Sequence, residues 1–146
     1  MKTSKLLLTL FVSLVVASSA QARDERLKFK IQPLLETTKA KDALLSVPLH
    51  FAENSPTKFD KKYGKVSTNK KTNAFMKSDQ EACEWAMLSA LKALQERALR
   101  EGMTDVINIT SNYKNIPFSS TTEFECGSGA VMAGVALKGT LVKIEK

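Results

Sequence analysis

The sequence predicts an α+β fold in a single domain, with one long helix packed on a mainly antiparallel sheet. An apolar pattern with three- and four-residue spacing follows Ser78 and stops at Gly102, which is the signature of an amphipathic helix. Stretches with the two-residue spacing of half-buried strands lie on both sides of it. The 146-residue chain is 43% hydrophobic and carries a formal net charge of +7, which is typical of one modest core with a basic surface.

The first 22 residues have the pattern of a secretory signal peptide. Lys2 and Lys5 form a basic start, Leu6 to Ala17 is almost wholly apolar, and Ala20 to Ala22 is a small-x-small cleavage site. The apolar run is shorter than the roughly 20 residues that span a bilayer. No cysteine follows this run, so we expect no lipid attachment. We therefore expect a periplasmic or secreted protein, with residues 23–146 as its domain and no transmembrane segment after cleavage.

The N-terminal third predicts short elements. Apolar and polar side chains alternate from Leu27 to Ile31 as in a half-buried strand, which Pro33 ends. Apolar positions between Leu34 and Leu45 favour a short helix. A second alternation, from Val47 to Phe51, favours another short strand.

Residues 58–77 are basic and poor in large aliphatic side chains. We expect an exposed loop region here, apart from a short strand across Tyr63 to Ser67. Lysines interleaved with aromatic side chains can hold an anionic polymer or a membrane surface. The predicted binding residues are Lys61, Lys62, Lys65, Lys70 and Lys71. A solvated mobile loop is the plain alternative.

The clearest helix covers Asp79 to Glu101. Ser78 and Glu81 form a capping box at its start. Gly102 is the expected left-handed stop at its end.

The apolar face of this helix is widest in its first half. Trp85 lies in that half, and we expect it to anchor the core. Further along, Glu96 and Arg100 have the spacing and order of a favourable ion pair.

Residues 105–144 predict strands. One runs from Val106 to Tyr113 and a second from Thr121 to Cys126. Ala130 to Leu137 is nearly all small and apolar, which favours a strand covered on both faces, and Gly139 indicates a bulge or turn before the last stretch. The other glycines that indicate bulges or close backbone approach are Gly127, Gly129 and Gly134.

Cys83 and Cys126 are the two cysteines, and export permits a disulfide between them. Buried free thiols are one alternative. A redox pair is another, because a cysteine in the first turns of a helix can have a lowered pKa. If the helix and the strand beginning at Thr121 ran collinearly, the two cysteines would sit about 7 Å and about 20 Å along their elements. A bridge therefore requires a tilted helix or a later strand start, because bridged Cα atoms lie within about 7 Å.

Other candidates for chemistry are few. His50 is the only histidine, so the chain has few residues that could form a metal site or a Ser-His-Asp triad. We interpret His50 as a rim residue. Asp105 and Glu125 are single carboxylates beside predicted strands, and we interpret them as strand-edge residues rather than an acid/base pair. We expect no metal and no cofactor.

Five stretches of the chain resemble a family of small exported bacterial proteins. The resemblance covers roughly residues 70–140. The stretches are Thr72 to Phe75, Glu81 to Leu91, Ala93 to Ala98, Ser119 to Cys126 and Gly129 to Gly139. Members are often labelled as an excinuclease ATPase subunit. The chain lacks the G-x-x-x-x-G-K-[ST] sequence that holds nucleotide phosphates, so we expect neither ATPase nor nuclease activity.

A more distant resemblance concerns the order of elements. The long helix, the stretch Gly102 to Ile109 and the paired strands after it are similar to YbjQ-like domains and to the envelope stress sensor RcsF. This resemblance implies a helix lying on a sheet. It also implies a function through disulfides and partner contacts rather than catalysis.

These observations lead us to expect a non-enzymatic exported protein that acts as a binding or interaction module of the cell envelope. The expected partner is an anionic envelope polymer, a membrane surface or an envelope protein, and the export signal argues against nucleic acid. A thiol-redox or small hydrolytic periplasmic enzyme that uses Cys83 is the alternative. A third hypothesis is an assembly role through the glycine-rich stretch Gly127 to Leu137.

Overall fold

The computed structural model describes residues 23–146, and the predicted signal peptide at residues 1–22 lies outside the described residues. These residues form one six-stranded sheet with a long helix across one face, so the predicted α+β class is confirmed. In chain order the elements are β1 (Glu25–Lys30), α1 (Ile31–Leu35), α2 (Thr38–Ala43), β2 (Leu49–Phe51), β3 (Lys61–Asn73), α3 (Asp79–Arg100), β4 (Asp105–Ser111), a 3₁₀ turn (Tyr113–Asn115), β5 (Glu123–Ser128) and β6 (Met132–Lys143).

Strand β6 organises the sheet. Along one edge it pairs with the whole of β3, from Asn73 opposite Met132 to Lys61 opposite Lys143. Along its other edge it pairs first with β5 and then with β4, while β1 extends the sheet beyond β5 and β2 extends it beyond β4. The pairings are antiparallel except that of β2 with β4, so the mainly antiparallel sheet is confirmed.

The sequence placed a bulge or turn at Gly139. Strand β6 runs through this residue without a turn, but its pairing with β4 shifts there, from Ile107 opposite Thr140 to Thr110 opposite Lys138, so β4 bulges opposite Gly139. The glycine also allows close packing between the two strands. A Cβ atom there would lie 2.9 Å from Cγ1 of Val106 on β4, closer than two carbon atoms can pack.

Helix α3 has the predicted limits to within one residue. The Ser78 hydroxyl oxygen accepts a hydrogen bond from the Glu81 N–H, and Gly102 has a φ of 71°. The expected pair of Glu96 with Arg100 is wrong. Among the described ion pairs, Glu101 contacts Arg97 at 3.0 Å, with the same four-residue spacing in the reverse order, and the adjacent Arg100 at 3.9 Å.

The core lies between α3 and the sheet. Its largest fully buried apolar side chains are Met87, Leu88, Leu91, Leu94, Val106, Ile109, Phe124, Val135, Leu137 and Leu141. Trp85 is not part of it, contrary to the prediction, since it is 37% exposed. The fully buried positions around it are Ala82, Cys83 and Ala86, whose small side chains bring the helix close to the sheet and leave no room for an indole ring. The Lys39 ammonium lies 5.4 Å from the centre of the indole ring.

The exposed loop predicted for residues 58–77 is largely wrong, because Lys61–Asn73 forms a continuous strand of 13 residues. This strand carries little hydrophobic alternation, since only Val66 packs against the core. Backbone hydrogen bonds with the long edge of β6 order this strand. They join distant parts of the chain, so they leave no hydrophobic pattern in the local sequence. Its other edge pairs with no described strand, and lysines at such an edge also oppose aggregation.

The N-terminal third agrees with the prediction in its strands but not in its helix. Strands β1 and β2 form as expected, whereas the single helix from Leu34 to Leu45 is replaced by α1 and α2. Thr37 separates them, since its hydroxyl donates to the Leu34 carbonyl and accepts from the Ala40 N–H that begins α2.

Candidate functional site

The five predicted lysines lie on two faces of β3. Lys65 and Lys71 pair with Thr140 and Gly134, on the sheet face opposite α3, which we call the outer face. Lys62 pairs with Val142 on the same face. Lys61 and Lys70 alternate to the face that carries α3, and Lys70 lines a groove there with Arg97 and Arg100.

Lys138 of β6 pairs with Ser67 and adds a fourth cation to the outer face. We call Lys62, Lys65, Lys71 and Lys138 the outer lysines. All four are exposed, and none forms an ion pair with another described residue. Their ammonium groups are therefore available to an external anion.

A trough crosses the outer face beside these lysines. Two cavities of about 510 Å³ and about 300 Å³ meet at Asn69 and Lys114 to form it. The Tyr113 ring forms part of its wall and lies directly over Gly127, where a Cβ atom would fall 1.9 Å from the ring. Its polar and charged lining comprises Arg23, Asp24, Ser67, Thr68, Asn69, Lys71, Asn112, Tyr113, Lys114, Asn115 and Lys138.

Asp24 is the one acid that lines this trough among the described residues. Hydrogen bonds from Lys114 and then from the Tyr113 hydroxyl hold its pKa below the usual value, so the carboxylate stays ionised. Burial, followed by the bond to Asp24, raises the pKa of Tyr113, and the phenol stays protonated as the donor. The acid is thus neutralised locally by Lys114 and leaves Lys71 and Lys138 uncompensated.

Asn112 supplies an unpaired polar atom to the same trough. Its side-chain oxygen is buried without a hydrogen-bond partner among the described residues, and its amide nitrogen reaches Asn115 at only 3.5 Å. Because this oxygen is buried, a ligand in the trough could reach it only if the Asn112 side chain rotated.

The sequence predicted a strand as far as Tyr113, whereas β4 ends at Ser111 and Tyr113 begins a 3₁₀ turn that forms this wall of the trough. Lys114 and Asn115 both have positive φ values, of 52° and 60°, and asparagine tolerates that region best. The Asn-Tyr-Lys-Asn stretch could therefore have indicated a tight turn. The face of the sheet on which that turn lies could not be read from it.

The predicted disulfide between Cys83 and Cys126 is present, with 5.8 Å between the Cα atoms. Strand β5 begins at Glu123, two residues later than predicted, and this later start brings Cys126 level with the first turns of α3. Both cysteines are fully buried, so the bridge ties α3 to the sheet from within the core.

His50 lies where β2 meets β4. Its Nε2 atom is 2.8 Å from the Asp105 carboxylate, at the first position of β4. The nearby Ser55 hydroxyl donates to the Ala52 carbonyl at 2.7 Å and more weakly to the His50 carbonyl at 3.4 Å, and it accepts from the Asn108 N–H. All of these partners are backbone groups. This arrangement joins two strands and a loop rather than presenting an activated hydroxyl.

Glu125 is not a strand-edge residue as predicted. It lies in the middle of β5, where it is 5% exposed, and its nearest cation is the Arg26 guanidinium at 3.9 Å. Within residues 23–146, no group of three or more histidine, cysteine, aspartate or glutamate side chains has the geometry to hold a metal ion.

Comparisons with protein families, with curated proteins and with solved structures give no match. No helix in the described part of the chain is long and apolar enough to cross a membrane. We therefore infer function from the charge and shape of the outer face.

Proposed function

We propose that this protein is a non-enzymatic binding module of the cell envelope that holds an anionic component on its outer face. The observation that carries this proposal is that the outer lysines share one face with no acidic partner among the described residues. The signal peptide pattern and the buried disulfide support a location outside the cytosol. We also propose that the helix-on-sheet fold is of the RcsF or YbjQ kind, as the order of elements suggests.

The spacing of these lysines favours an extended partner over a small ion. Lys65 and Lys71 are six positions apart on one strand, which corresponds to roughly 20 Å. Exposed charges farther apart than about 10 Å act nearly independently in moderate salt. A small anion would therefore meet one lysine, whereas an anionic polymer or surface would meet several.

The alternative of an enzyme that uses Cys83 finds no support in this geometry. Both sulfur atoms are bonded to each other and lie in the core. Attack by a Cys83 thiolate would require reduction of the bridge and movement of α3 away from the sheet.

Charge-neutralising variants test the proposal. The test variant is Lys62→Gln, Lys65→Gln and Lys71→Gln together. The matched control is Lys61→Gln, Lys70→Gln and Lys92→Gln, which removes the same charge from the helix side of the molecule. Binding of a lipid-free polyanion, inorganic polyphosphate, is measured at low salt.

Each lysine near an anionic surface is worth about 1 kcal/mol, so the test variant should bind at least thirtyfold more weakly, a ΔΔG of about 2–3 kcal/mol. The control should change affinity by less than about threefold. Equal losses in both variants would show that only net charge matters and would overturn the proposed face, as would unchanged binding in the test variant.

A further inference from the structure

Two neighbouring loops at one end of the sheet expose large apolar side chains. Residues 74–77 join β3 to α3, and residues 129–132 join β5 to β6 and begin that strand. The Ala74 N–H donates to the Val131 carbonyl at 2.7 Å, which holds the two loops together. We call these segments the tip loops.

The apolar exposure of the tip loops stands out within the described chain. Met76 is 91% exposed, Phe75 63%, Val131 58% and Met132 46%. Exposed apolar side chains elsewhere, such as Leu99 and Ile116, lie singly on other elements. A contiguous apolar cluster on a protein surface usually marks a site of interaction.

The first tip loop is held in place rather than loosely extended. The Phe75 N–H donates to the Asn73 side chain at 2.8 Å, and the Lys77 N–H donates to the Ala74 carbonyl. Met76 sits between them with a φ of 59°, a left-handed conformation that is strained for a residue with a side chain. The loop thus holds Met76 in an unfavourable backbone conformation although its side chain is exposed to solvent. Strained backbone of this kind tends to occur at functional sites.

Two lysines flank this apolar tip. Lys77 lies in the first tip loop, and Lys71 lines a cavity together with Val131 and Met132. Neither lysine forms an ion pair with another described residue. The nearest acid on α3 is Asp79, which is already taken by Arg23 and the Ser128 hydroxyl. The tip thus combines a protruding apolar centre with an uncompensated basic rim.

We propose that the tip loops dock this protein on an anionic phospholipid bilayer, with Phe75 and Met76 inserted among the headgroups. A bilayer interface offers apolar acyl chains just below a layer of phosphates, which matches an apolar centre with a lysine rim. This inference rests on the proposed function, since it names the anionic partner as a lipid surface.

The described chain also begins at this end. The Arg23 carbonyl oxygen lies against Gly129, within 2.9 Å of the position that a Cβ atom would occupy. Arg23 therefore lies beside the tip loops, at the end of the domain that we propose to face the bilayer.

Vesicle binding tests the inference on protein purified after export. The test variant is Phe75→Ser with Met76→Ser, and the matched control is Leu99→Ser with Ile116→Ser, which removes apolar side chains of similar exposure elsewhere. Vesicles of phosphatidylcholine alone are compared with vesicles containing phosphatidylglycerol. Binding to polyphosphate is measured in parallel for each protein.

The wild-type protein and the control should bind the phosphatidylglycerol vesicles and bind phosphatidylcholine at least tenfold more weakly. The test variant should lose at least tenfold in affinity for the anionic vesicles, because burial of two large apolar side chains is lost. Its affinity for polyphosphate should stay within twofold. In Phe75→Trp, the added indole should show blue-shifted emission only with anionic vesicles.

Two results would overturn the inference and leave the proposed function standing. One is wild-type binding to polyphosphate but not to vesicles, and the other is unchanged vesicle binding in the test variant. Self-association that the test variant abolishes would overturn it in favour of a second copy of the chain. If the wild-type protein binds neither vesicles nor polyphosphate, the proposed function fails as well.

Discussion

Replacing both Cys83 and Cys126 by alanine should remove about 4 kcal/mol from the free energy of unfolding. The bridge joins residues that are 43 positions apart and therefore closes a long loop in the unfolded chain. The chain-entropy model assigns about 4 kcal/mol to a loop of this length. Both cysteines are fully buried, so two vacated sulfur positions add to the loss.

This loss is large because stabilities of small domains are about 5–15 kcal/mol. Urea unfolding followed by circular dichroism measures it directly. With a slope of about 2 kcal/mol per molar urea, the midpoint should fall by roughly 2 M. Reductant should shift the midpoint of the wild-type protein by a similar amount and leave that of the double variant unchanged.

The reasoning fails if the double variant and the wild-type protein unfold within about 0.5 M urea of each other. That result would mean that residual structure already restricts the unfolded chain as much as the bridge does. Reduced wild-type protein separates the two contributions, because it keeps both sulfur atoms in the core and loses only the covalent link.

Gln95 is 1% exposed, and its side chain accepts from the Leu45 N–H and donates to the carbonyls of Leu45 and Val47. The variant Gln95→Met should therefore lose about 2–4 kcal/mol of the free energy of unfolding, measured by thermal denaturation. The control Gln80→Met, on the exposed side of α3, should lose little. A loss below 1 kcal/mol would contradict the claim that these bonds hold residues 45–47 against the helix. Arg23 and then the Ser128 hydroxyl lower the pKa of Asp79, so its stabilising effect is present above the carboxyl's usual pKa and is lost as the pH falls below about 4. Asp79→Asn should therefore be less stable than the wild-type protein by about 1 kcal/mol or less at pH 7, and a difference that stays constant down to pH 3 would contradict this assignment.

The sequence did not predict which lysines of β3 lie on which face of the sheet. The lysines were recognised as candidates, yet the segment was expected to be mostly loop because its hydrophobic pattern is weak. Strand formation here comes from pairing with β6, about 70 residues away in the chain. The shift in pairing between Lys62 and Gly64 then sets which lysines reach the outer face.

The tip loops and the trough were beyond sequence reasoning for a similar reason. Phe75 and Met76 stand out only once the Ala74 N–H is paired with Val131 and the two loops share one end of the sheet. The Tyr113 ring can form a wall of the trough only because Gly127, on β5, has no side chain and leaves space for the ring.

The limits of α3 and the α+β class could be predicted from the chain, because capping and hydrophobic periodicity are local signals. Two cysteines allow one internal pair, so the partners of a disulfide were known, although free thiols remained an alternative. Three features emerged from packing instead: which lysines share a face, the partial exposure of Trp85 and the meeting of two apolar loops at one end. These outcomes depend on strand register and on the distance between helix and sheet. Contacts between residues far apart in the chain set both quantities, and such contacts leave no periodic pattern near the residues that they position.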